Sequence, residues 1–485
     1  MERQKIWVLI GALLMAFMAI EWMAFGGFGI SVVLAVGLYL GWRWLAIRMR
    51  GKAIRKQSYL WLIPTALCTF CFVLFNNPVL KFFNILFLIG LLILQDLQLF
   101  ETTEEDLFTI KGVLAHFFIA INLPFEYMDT PVEWIKEGVK EGGREKFKVI
   151  GKIFLGILIA LPVLIVVVIL LARADAAFYG VTVKVFESIQ FDWGEWVIKI
   201  PLMIFCFFVF VSYFYGLQDE TLALGMKGKE SERTEPCLDF IIVGTVATLF
   251  CLVYIVFCFS QLAYFVSAFS GILPEDFTYA EYARRGFFET VPLTLFNLGM
   301  ILVLTYMSKW VEGSKRTYIK GAMTLITGVT LFLVISALSK MGMYMAEYGL
   351  TLKRVYVAWF LSLIIVITLI LFANLWCKKI NVLKGIFISF TMMYLGLNYF
   401  NVDYRVAKQN ISLYKTEGIE AMGGFYNLSV SAATPLQELV EEVPELGQEE
   451  HILMWISDWE NQLSKETWES WNLASYKARR ALQGF

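Results

Sequence analysis

The amino-acid sequence predicts an all-α fold: a polytopic transmembrane helical bundle of about eleven spans with a small helical extracytoplasmic C-terminal domain. Three observations predict it. The chain of 485 residues is 58% hydrophobic and only 17% charged, whereas soluble domains carry about 25% charged residues. The apolar residues form runs of about 18 to 24 residues, which is the length that a helix needs to cross a bilayer. After the last run the sequence becomes polar and acidic.

The apolar runs divide the chain into four regions. Residues 1–100 hold the first four transmembrane helices, and residues 101–150 form a cytoplasmic insertion with an interfacial or re-entrant helix. Residues 151–400 form a transmembrane core with about seven helices, and residues 401–485 form the helical C-terminal domain. The expected spans are 6–25, 27–46, 59–75, 80–98, 151–172, 196–216, 238–261, 289–308, 321–340, 355–376 and 382–400.

Basic residues in the short connections predict the orientation, because Lys and Arg are retained preferentially in the cytoplasm. If the expected spans alternate in direction, all the basic clusters fall on one side of the membrane. The N-terminus is then cytoplasmic and the C-terminus extracytoplasmic. The clusters lie at 48–56, 136–148, 227–233, 309–316 and 378–379.

The C-terminal region should form three helices. Thr434, Pro435 and Gln437 have the spacing of an N-cap, a first-turn proline and a capping-box glutamine. Two further helices fit residues 451–463 and 466–482. Because about 85 residues give only a modest core, we expect this region to dock onto the membrane part. The side chains expected to be buried are Leu436, Leu439, Val440, Leu453, Ile456, Trp459, Trp468, Trp471 and Tyr476.

Composition and motifs exclude several classes of function. The net charge is −1 and the basic residues are dispersed, so no nucleic-acid role is expected. The pair Cys68 and Cys71 lies inside an apolar run and is interpreted as two small buried residues. His116 and His451 have no neighbours at metal-ligand spacing. P-loop, H-E-x-x-H and G-x-S-x-G motifs are absent. We therefore predict no catalytic residue, no metal and no cofactor.

Charged residues within the apolar runs lie mostly near the span ends. We expect the long side chains of Arg43 and Lys199 to reach the membrane interface. An acidic residue in the middle of a span, as a proton relay requires, is not found, which weakens an ion-coupled transporter. The charges concerned are Glu21, Arg43, Asp96, Arg173, Asp175 and Lys199.

Two similar segments precede and follow the eighth and ninth spans on the expected outer side. The first, residues 278–289, reads Thr-Tyr-Ala-Glu-Tyr-Ala-Arg-Arg-Gly-Phe-Phe-Glu. On a helix, Glu281 and Arg285 stand one turn apart and can pair. The second, residues 344–351, repeats Ala-Glu-Tyr and is followed by Arg354.

These two segments supply the candidate ligand-binding site. In this hypothesis Arg284 and Arg285 bind an anionic headgroup or a charged solute, while Glu281 and Glu347 orient them. The alternative is an interfacial belt of Tyr and Arg that fixes the position of the helices in the membrane. The candidate residues are Tyr279, Glu281, Tyr282, Arg284, Arg285, Glu347, Tyr348 and Arg354.

The segment Tyr279–Phe288 resembles the most recognisable motif of bacterial polytopic membrane proteins of the domain-of-unknown-function family 4173, and of the related family 4153. Residues 347–354, 401–411, 428–435 and 468–478 resemble other parts of the same pattern in the same order. The resemblance covers roughly residues 210–485 and implies a multi-pass protein of the bacterial cytoplasmic (inner) membrane. It implies no activity. One departure is Lys340, where the pattern suggests arginine.

Three functions are compatible with these observations. The favoured one is a non-enzymatic sensor or accessory protein that recognises a ligand or partner on the outer face. A transporter or flippase for an anionic solute or lipid is the first alternative, and a membrane-embedded enzyme acting on lipid or cell-wall precursors is the second. The expected partners are the lipid bilayer and a membrane protein, with no nucleic acid.

Overall fold

The computed structural model describes most of the chain, and every regular element in that part is a helix. The described residues are 3–50, 56–103, 105–137, isolated positions between 156 and 178, 194–218, 239–270, 277–307, 313–377, 379–417, 424–425 and 427–484. The helices are α1 (Arg3–Phe17, extended by a π-helix over Met18–Phe25), α2 (Ile30–Arg50), α3 (Leu62–Leu74), α4 (Pro78–Leu99), α5 (Ile110–Glu126), α6 (Thr130–Glu137), α7 (Gly194–Gln218), α8 (Phe240–Ser270), α9 (Tyr279–Met307), α10 (Ser314–Tyr348), α11 (Leu352–Trp376), α12 (Val382–Tyr399), α13 (Val402–Glu417), α14 (Ala433–Glu442), α15 (Glu450–Ser464) and α16 (Leu473–Leu482).

Eight helices in the described part are long and apolar enough to cross a membrane: α1 with its π-helix, α4 and α7 to α12. The chain is therefore a multi-pass integral membrane protein. Two shorter apolar helices, Ile30–Trp44 and Ser58–Leu74, coincide with two more of the expected spans. The expected span 151–172 lies outside the described residues except for isolated positions. The total of about eleven spans remains a prediction.

The first helix group consists of α1 to α4 and α7. The indole of Trp42 on α2 stacks on Phe214 of α7, with ring centroids 3.9 Å apart. The same indole lies against Gly11 of α1, where an added Cβ would be 2.0 Å from its Nε1 atom. Glycine at this position therefore permits α1 and α2 to pack closely against each other.

The second helix group consists of α8 to α11. Its buried surfaces are mostly apolar, and a neutral hydrogen-bonded set of side chains joins α8, α9 and α10. Asn297 donates from Nδ2 to the hydroxyl of Thr330 at 2.9 Å and accepts a hydrogen bond from the phenol of Tyr254. Such bonds satisfy polar groups that have no access to water inside the bilayer.

Helix α12 packs against both groups. It lies beside α11 on one side and α3 on the other. Asn84 of α4 donates to Asn398 of α12 at 2.7 Å and accepts from the Tyr394 hydroxyl at 2.7 Å. These long-range amide and phenol contacts join the two groups through a buried polar core.

The insertion contains the helix that the sequence predicts. It is α5, which begins after Thr109, whose side chain accepts from the Gly112 amide at 2.9 Å. Its inner face packs on α7 through Leu123, while Phe117 and Phe118 are exposed on the opposite face. His116 is buried, and its Nδ1 lies 2.7 Å from the Gly112 carbonyl oxygen. One face of α5 is therefore buried against α7 and the other is exposed, while its interfacial or re-entrant position remains a prediction.

The C-terminal helices differ in detail from the prediction. Thr434 is not an N-cap, because α14 begins one residue earlier, and the Gln437 side chain donates to Glu441. The predicted helix 466–482 begins only at Leu473, capped by Asn472. The predicted burial of four side chains is wrong: Leu453 and Tyr476 lie on exposed faces of α15 and α16, and Trp468 and Trp471 lie in the non-helical segment between these helices. Their exposed fractions are 50% for Leu453, 53% for Trp468, 41% for Trp471 and 45% for Tyr476.

The C-terminal helices dock on three turns of the membrane bundle, residues 26–31, 76–77 and 349–351, here called the docking turns. At the first turn the approach is close enough that a Cβ at Gly29 would lie 2.3 Å from the Ser470 carbonyl carbon. The hydrogen bonds there run from Ile30 N to Trp471 O (3.1 Å), from Ser31 N to Glu469 O (3.1 Å) and from Thr467 Oγ1 to Gly26 O (2.8 Å).

At the other docking turns, buried side chains of α13 make the contacts. Asn410 donates to the Leu350 carbonyl and accepts from the Leu350 amide, both at 2.9 Å. Asp403, which is 1% exposed, accepts from Asn77 Nδ2 at 2.7 Å and from the Ser429 amide at 2.8 Å. The N-terminal end of α13 is thus fixed to turns from both helix groups.

Burial makes the stability of this docking depend on pH. Desolvation raises the pKa of Asp403, although hydrogen bonds to Ser429 and Asn77 favour its charged form. The folded state therefore holds this proton to higher pH than the unfolded state, and stability falls as pH rises from the ordinary carboxyl pKa through the raised value.

We predict that the Asp403→Asn variant is stabilised relative to wild type as pH increases through that window, because asparagine has no charge to desolvate. Asparagine has one acceptor oxygen instead of two, so the variant loses one hydrogen bond at every pH. The measurement is the difference in thermal unfolding temperature between variant and wild type across the acid range in detergent. A difference that does not change with pH would contradict the prediction.

Candidate functional site

The first motif segment begins a helix rather than forming a loop. Thr278 caps α9: its hydroxyl accepts from the Glu281 amide at 3.2 Å, and the Glu281 carboxylate accepts from the Thr278 amide at 3.3 Å and its hydroxyl at 3.1 Å. This reciprocal pair is a capping box. Glu281 and Arg285 form no ion pair in the described part of the chain, because the carboxylate turns back to the cap.

The cationic residues of this segment are exposed. Arg284 donates from Nε to the Ala280 carbonyl at 3.2 Å, and the guanidinium of Arg285 lies 5.1 Å from the centroid of the Phe277 ring. Both contacts are local and leave most guanidinium donors directed to the surroundings. These two residues can therefore bind an anion without rearrangement of the helix.

Tyr282 instead faces the protein interior and is 3% exposed. The Lys340 ammonium lies 4.4 Å from the centroid of its ring, an attractive cation–π geometry. The lysine passes over Gly286, where a Cβ would be 2.8 Å from Lys340 Cδ. Tyr282, Gly286 and Lys340 thus hold α9 against α10, and Tyr282 is not accessible to a ligand.

The second motif segment ends α10 and turns into α11. Gly349 has a φ of 71°, which favours glycine. Arg354 donates to the carbonyls of Tyr348 and Gly349 at 2.8 and 2.6 Å, and its guanidinium lies 3.9 Å from the centroid of the Tyr344 ring. Arg354 therefore satisfies the carbonyl groups at the end of α10, as basic residues do near helix C-termini.

The structure brings the two segments together. The rings of Tyr279 and Tyr348 meet edge to face with centroids 6.4 Å apart. The two segments carry four exposed side chains, Arg284, Arg285, Glu347 and Tyr348, and the half-buried Tyr279; these five residues are here called the tyrosine–arginine surface. Glu281, Tyr282 and Arg354 support this surface through caps and packing.

A second polar site, which the sequence reasoning missed, lies inside the first helix group. Asp96 of α4 is fully buried. Asp96 and its three hydrogen-bond partners, Tyr39, Arg43 and Tyr213, are here called the Asp96 cluster. Asp96 accepts from Arg43 Nη1 at 3.0 Å, from the Tyr213 hydroxyl at 3.1 Å and from the Tyr39 hydroxyl. The expectation that Arg43 extends to the interface is wrong, because the side chain is 3% exposed and paired inward.

The expectation that Lys199 extends to the membrane interface is wrong for the same reason. Lys199 is 5% exposed and lies 3.0 Å from Glu21 and 2.8 Å from Glu195. The signal in the sequence was the presence of opposite charges at comparable depths of different spans: Arg43 with Asp96, and Lys199 with Glu21. Each of these charges thus has an opposite charge 3.0 Å away inside the bundle, a common arrangement of ionisable residues in transmembrane segments.

Comparison with known proteins identifies one family. The model of the family described as Domain of unknown function (DUF4153) matches residues 62–439, well over half of the chain. The match contains both motif segments, Asp96 and the docking turns at 76–77 and 349–351. No curated protein and no solved structure matches this sequence.

We predict that the folding stability of the protein depends strongly on the charge pair between Arg43 and Asp96. Asp96→Asn leaves the Arg43 guanidinium buried without a counter-charge, which costs on the order of 3–5 kcal/mol. The double variant Arg43→Gln with Asp96→Asn removes both charges and should recover most of that loss. Thermal unfolding of the single and double variants in detergent checks this. A double variant that is as unstable as the two single losses combined would contradict the pairing.

Proposed function

Because this chain belongs to the family described as Domain of unknown function (DUF4153), whose description assigns no activity, we propose its function from geometry. It is a non-enzymatic sensor or accessory protein of the bacterial cytoplasmic membrane that recognises a ligand or a membrane protein partner on the outer face. The motif of residues 279–288 further suggests close kinship with family 4173.

The observation that carries this proposal is the docking of the C-terminal helices on turns of both helix groups. Thr467 bonds to Gly26 in the first group, and Asn410 bonds to Leu350 beside the second. A partner that binds these helices therefore acts on both groups at once. A partner that shifts the C-terminal helices would also shift the ends of the transmembrane helices that are hydrogen-bonded to them. Rigid helices can transmit such a shift across the membrane.

The tyrosine–arginine surface is the proposed recognition site. Arg284 and Arg285 bind an anion, since arginine is suited to planar, bidentate recognition of carboxylate and phosphate. Tyr279 and Tyr348 flank the anion and Glu347 limits which anions enter. The surface adjoins the third docking turn, because Tyr348 directly precedes Gly349. Ligand binding and docking would thus affect the same end of α10.

The proposed topology has about eleven spans, a cytoplasmic N-terminus and an extracytoplasmic C-terminal domain, residues 401–485. Support comes from the docking turns at 26–31, 76–77 and 349–351. In the predicted alternation of spans all three fall on the side of the C-terminal region, and the C-terminal helices contact all three.

A transporter or flippase for an anionic solute or lipid is the second candidate. The Asp96 cluster favours it, because charged groups buried inside a bundle commonly belong to substrate or ion pathways. The neutral set around Asn297 places further polar groups within the second helix group. A transport assay in proteoliposomes with Asp96→Asn, combined with Arg43→Gln to preserve folding, distinguishes a pathway from a structural pair.

We predict that the double variant Arg284→Ala with Arg285→Ala loses the bound ligand or partner but keeps its fold, because both side chains are exposed. The protein is purified from native membranes in mild detergent, and co-purifying proteins and lipids are quantified by mass spectrometry. Arg284→Lys with Arg285→Lys is the matched control. It keeps both charges but removes the bidentate geometry, so partial retention is expected.

Two outcomes would contradict this proposal. Unfolding of the alanine variant would favour an interfacial belt that anchors the helices. Co-purification that is unchanged in a folded alanine variant would place recognition elsewhere. A stoichiometric partner protein supports the sensor or accessory role, whereas a lone chain with a bound lipid or solute supports transport.

A further inference from the structure

A groove between α13 and α14 has a charge arrangement that none of the preceding roles uses. It encloses about 490 Å³. One wall is α13 with Arg405, Lys408 and Lys415, and the other is α14 with Glu438 and Glu442. The groove therefore has a cationic and an anionic wall facing each other.

The two helices run in the same direction along the groove. Asp403 at the start of α13 bonds to Ser429 just before α14, and Lys415 pairs with Glu442 at the far ends. This ion pair closes the far end. Arg405, Lys408 and Glu438 are exposed and form no ion pair within the described part of the chain.

The floor of the groove is apolar and fixed. Ile411 of α13 and Leu439 of α14 are buried in the C-terminal core. The Arg405 guanidinium lies 5.4 Å from the centroid of the Phe400 ring, next to the membrane end of α12. At this end of the groove the cationic wall is therefore packed against the end of α12.

The groove begins close to the membrane. Asp403 and Asn410 join α13 to the docking turns 76–77 and 349–351. Arg405 and Lys408 lie between them on the same helix, within about one helix diameter of the membrane bundle. Phe400 is 48% exposed at the junction. This depth corresponds to the headgroup region of a bilayer.

We propose that this groove binds a phosphoethanolamine group, with the phosphate against Arg405 and Lys408 and the primary ammonium against Glu438. The group is the headgroup of a membrane phospholipid. The assignment is independent of the tyrosine–arginine surface and of the proposed function.

Chemistry distinguishes this ligand from close relatives. Phosphate accepts charge-assisted hydrogen bonds from arginine and lysine. A primary ammonium has three donors for the Glu438 carboxylate, whereas the trimethylated ammonium of phosphocholine has none. The groove should therefore prefer phosphoethanolamine to phosphocholine.

The test uses the full-length protein in detergent and calorimetric titration with dihexanoyl-phosphatidylethanolamine, dihexanoyl-phosphatidylcholine and free O-phosphoethanolamine. Wild type should prefer the ethanolamine lipid to the choline lipid by on the order of tenfold. Arg405→Ala with Lys408→Ala should weaken both lipids on the order of tenfold or more. Glu438→Gln should abolish the preference while leaving the choline lipid unaffected.

Lys465→Ala with Lys477→Ala is the matched control, because both lysines are exposed elsewhere in the C-terminal region, just after α15 and on α16, and carry the same charge. It should bind like wild type. Unfolding temperatures of all variants establish that the fold is kept. Equal affinity of wild type for the two lipids, or binding unchanged in a folded Arg405 and Lys408 variant, would overturn the proposal. Free O-phosphoethanolamine binding as tightly as the lipid would overturn the lipid as the source.

Discussion

Backbone groups at the docking turns need hydrogen-bond partners, and the architecture depends on how they obtain them. A turn between transmembrane helices interrupts the helical ladder, and an unpaired amide or carbonyl near the bilayer is costly. In this protein the C-terminal helices supply the partners: backbone carbonyls of Glu469 and Trp471 at the first turn, and the Asn410 side chain at the third. The polar C-terminal region is thus part of the membrane structure.

The same requirement explains the buried charges. Asp96 and Lys199 lie where water cannot solvate them, and each is surrounded by donors or acceptors from other helices. These contacts fix which helices are neighbours, because a charge left without its partner would be strongly unfavourable. Apolar packing alone gives no such selectivity, since lipid tails and leucine side chains are equally apolar.

The sequence predicts local features well and distant pairings poorly. Run length and composition locate eight of the expected spans as long apolar helices in the described part of the chain, and helical spacing locates α15. The pair of Glu281 and Arg285 that helical spacing predicts is wrong, because the Glu281 carboxylate bonds to Thr278 in the preceding turn instead. The contact between Tyr279 and Tyr348 depends on how α9 and α10 pack, which the sequence does not encode locally. Arg43 and Asp96, 53 residues apart, form a pair for the same reason.

The hydrogen bond between Thr467 and Gly26 joins residues 441 positions apart. During synthesis the first turn therefore emerges long before its partner, and it stays incomplete until nearly the whole chain has been made. A chain that stops early, or that lacks its last helices, would present open backbone groups at the membrane surface. These exposed backbone groups distinguish an incomplete chain from the mature protein, and cellular proteases can act on that difference.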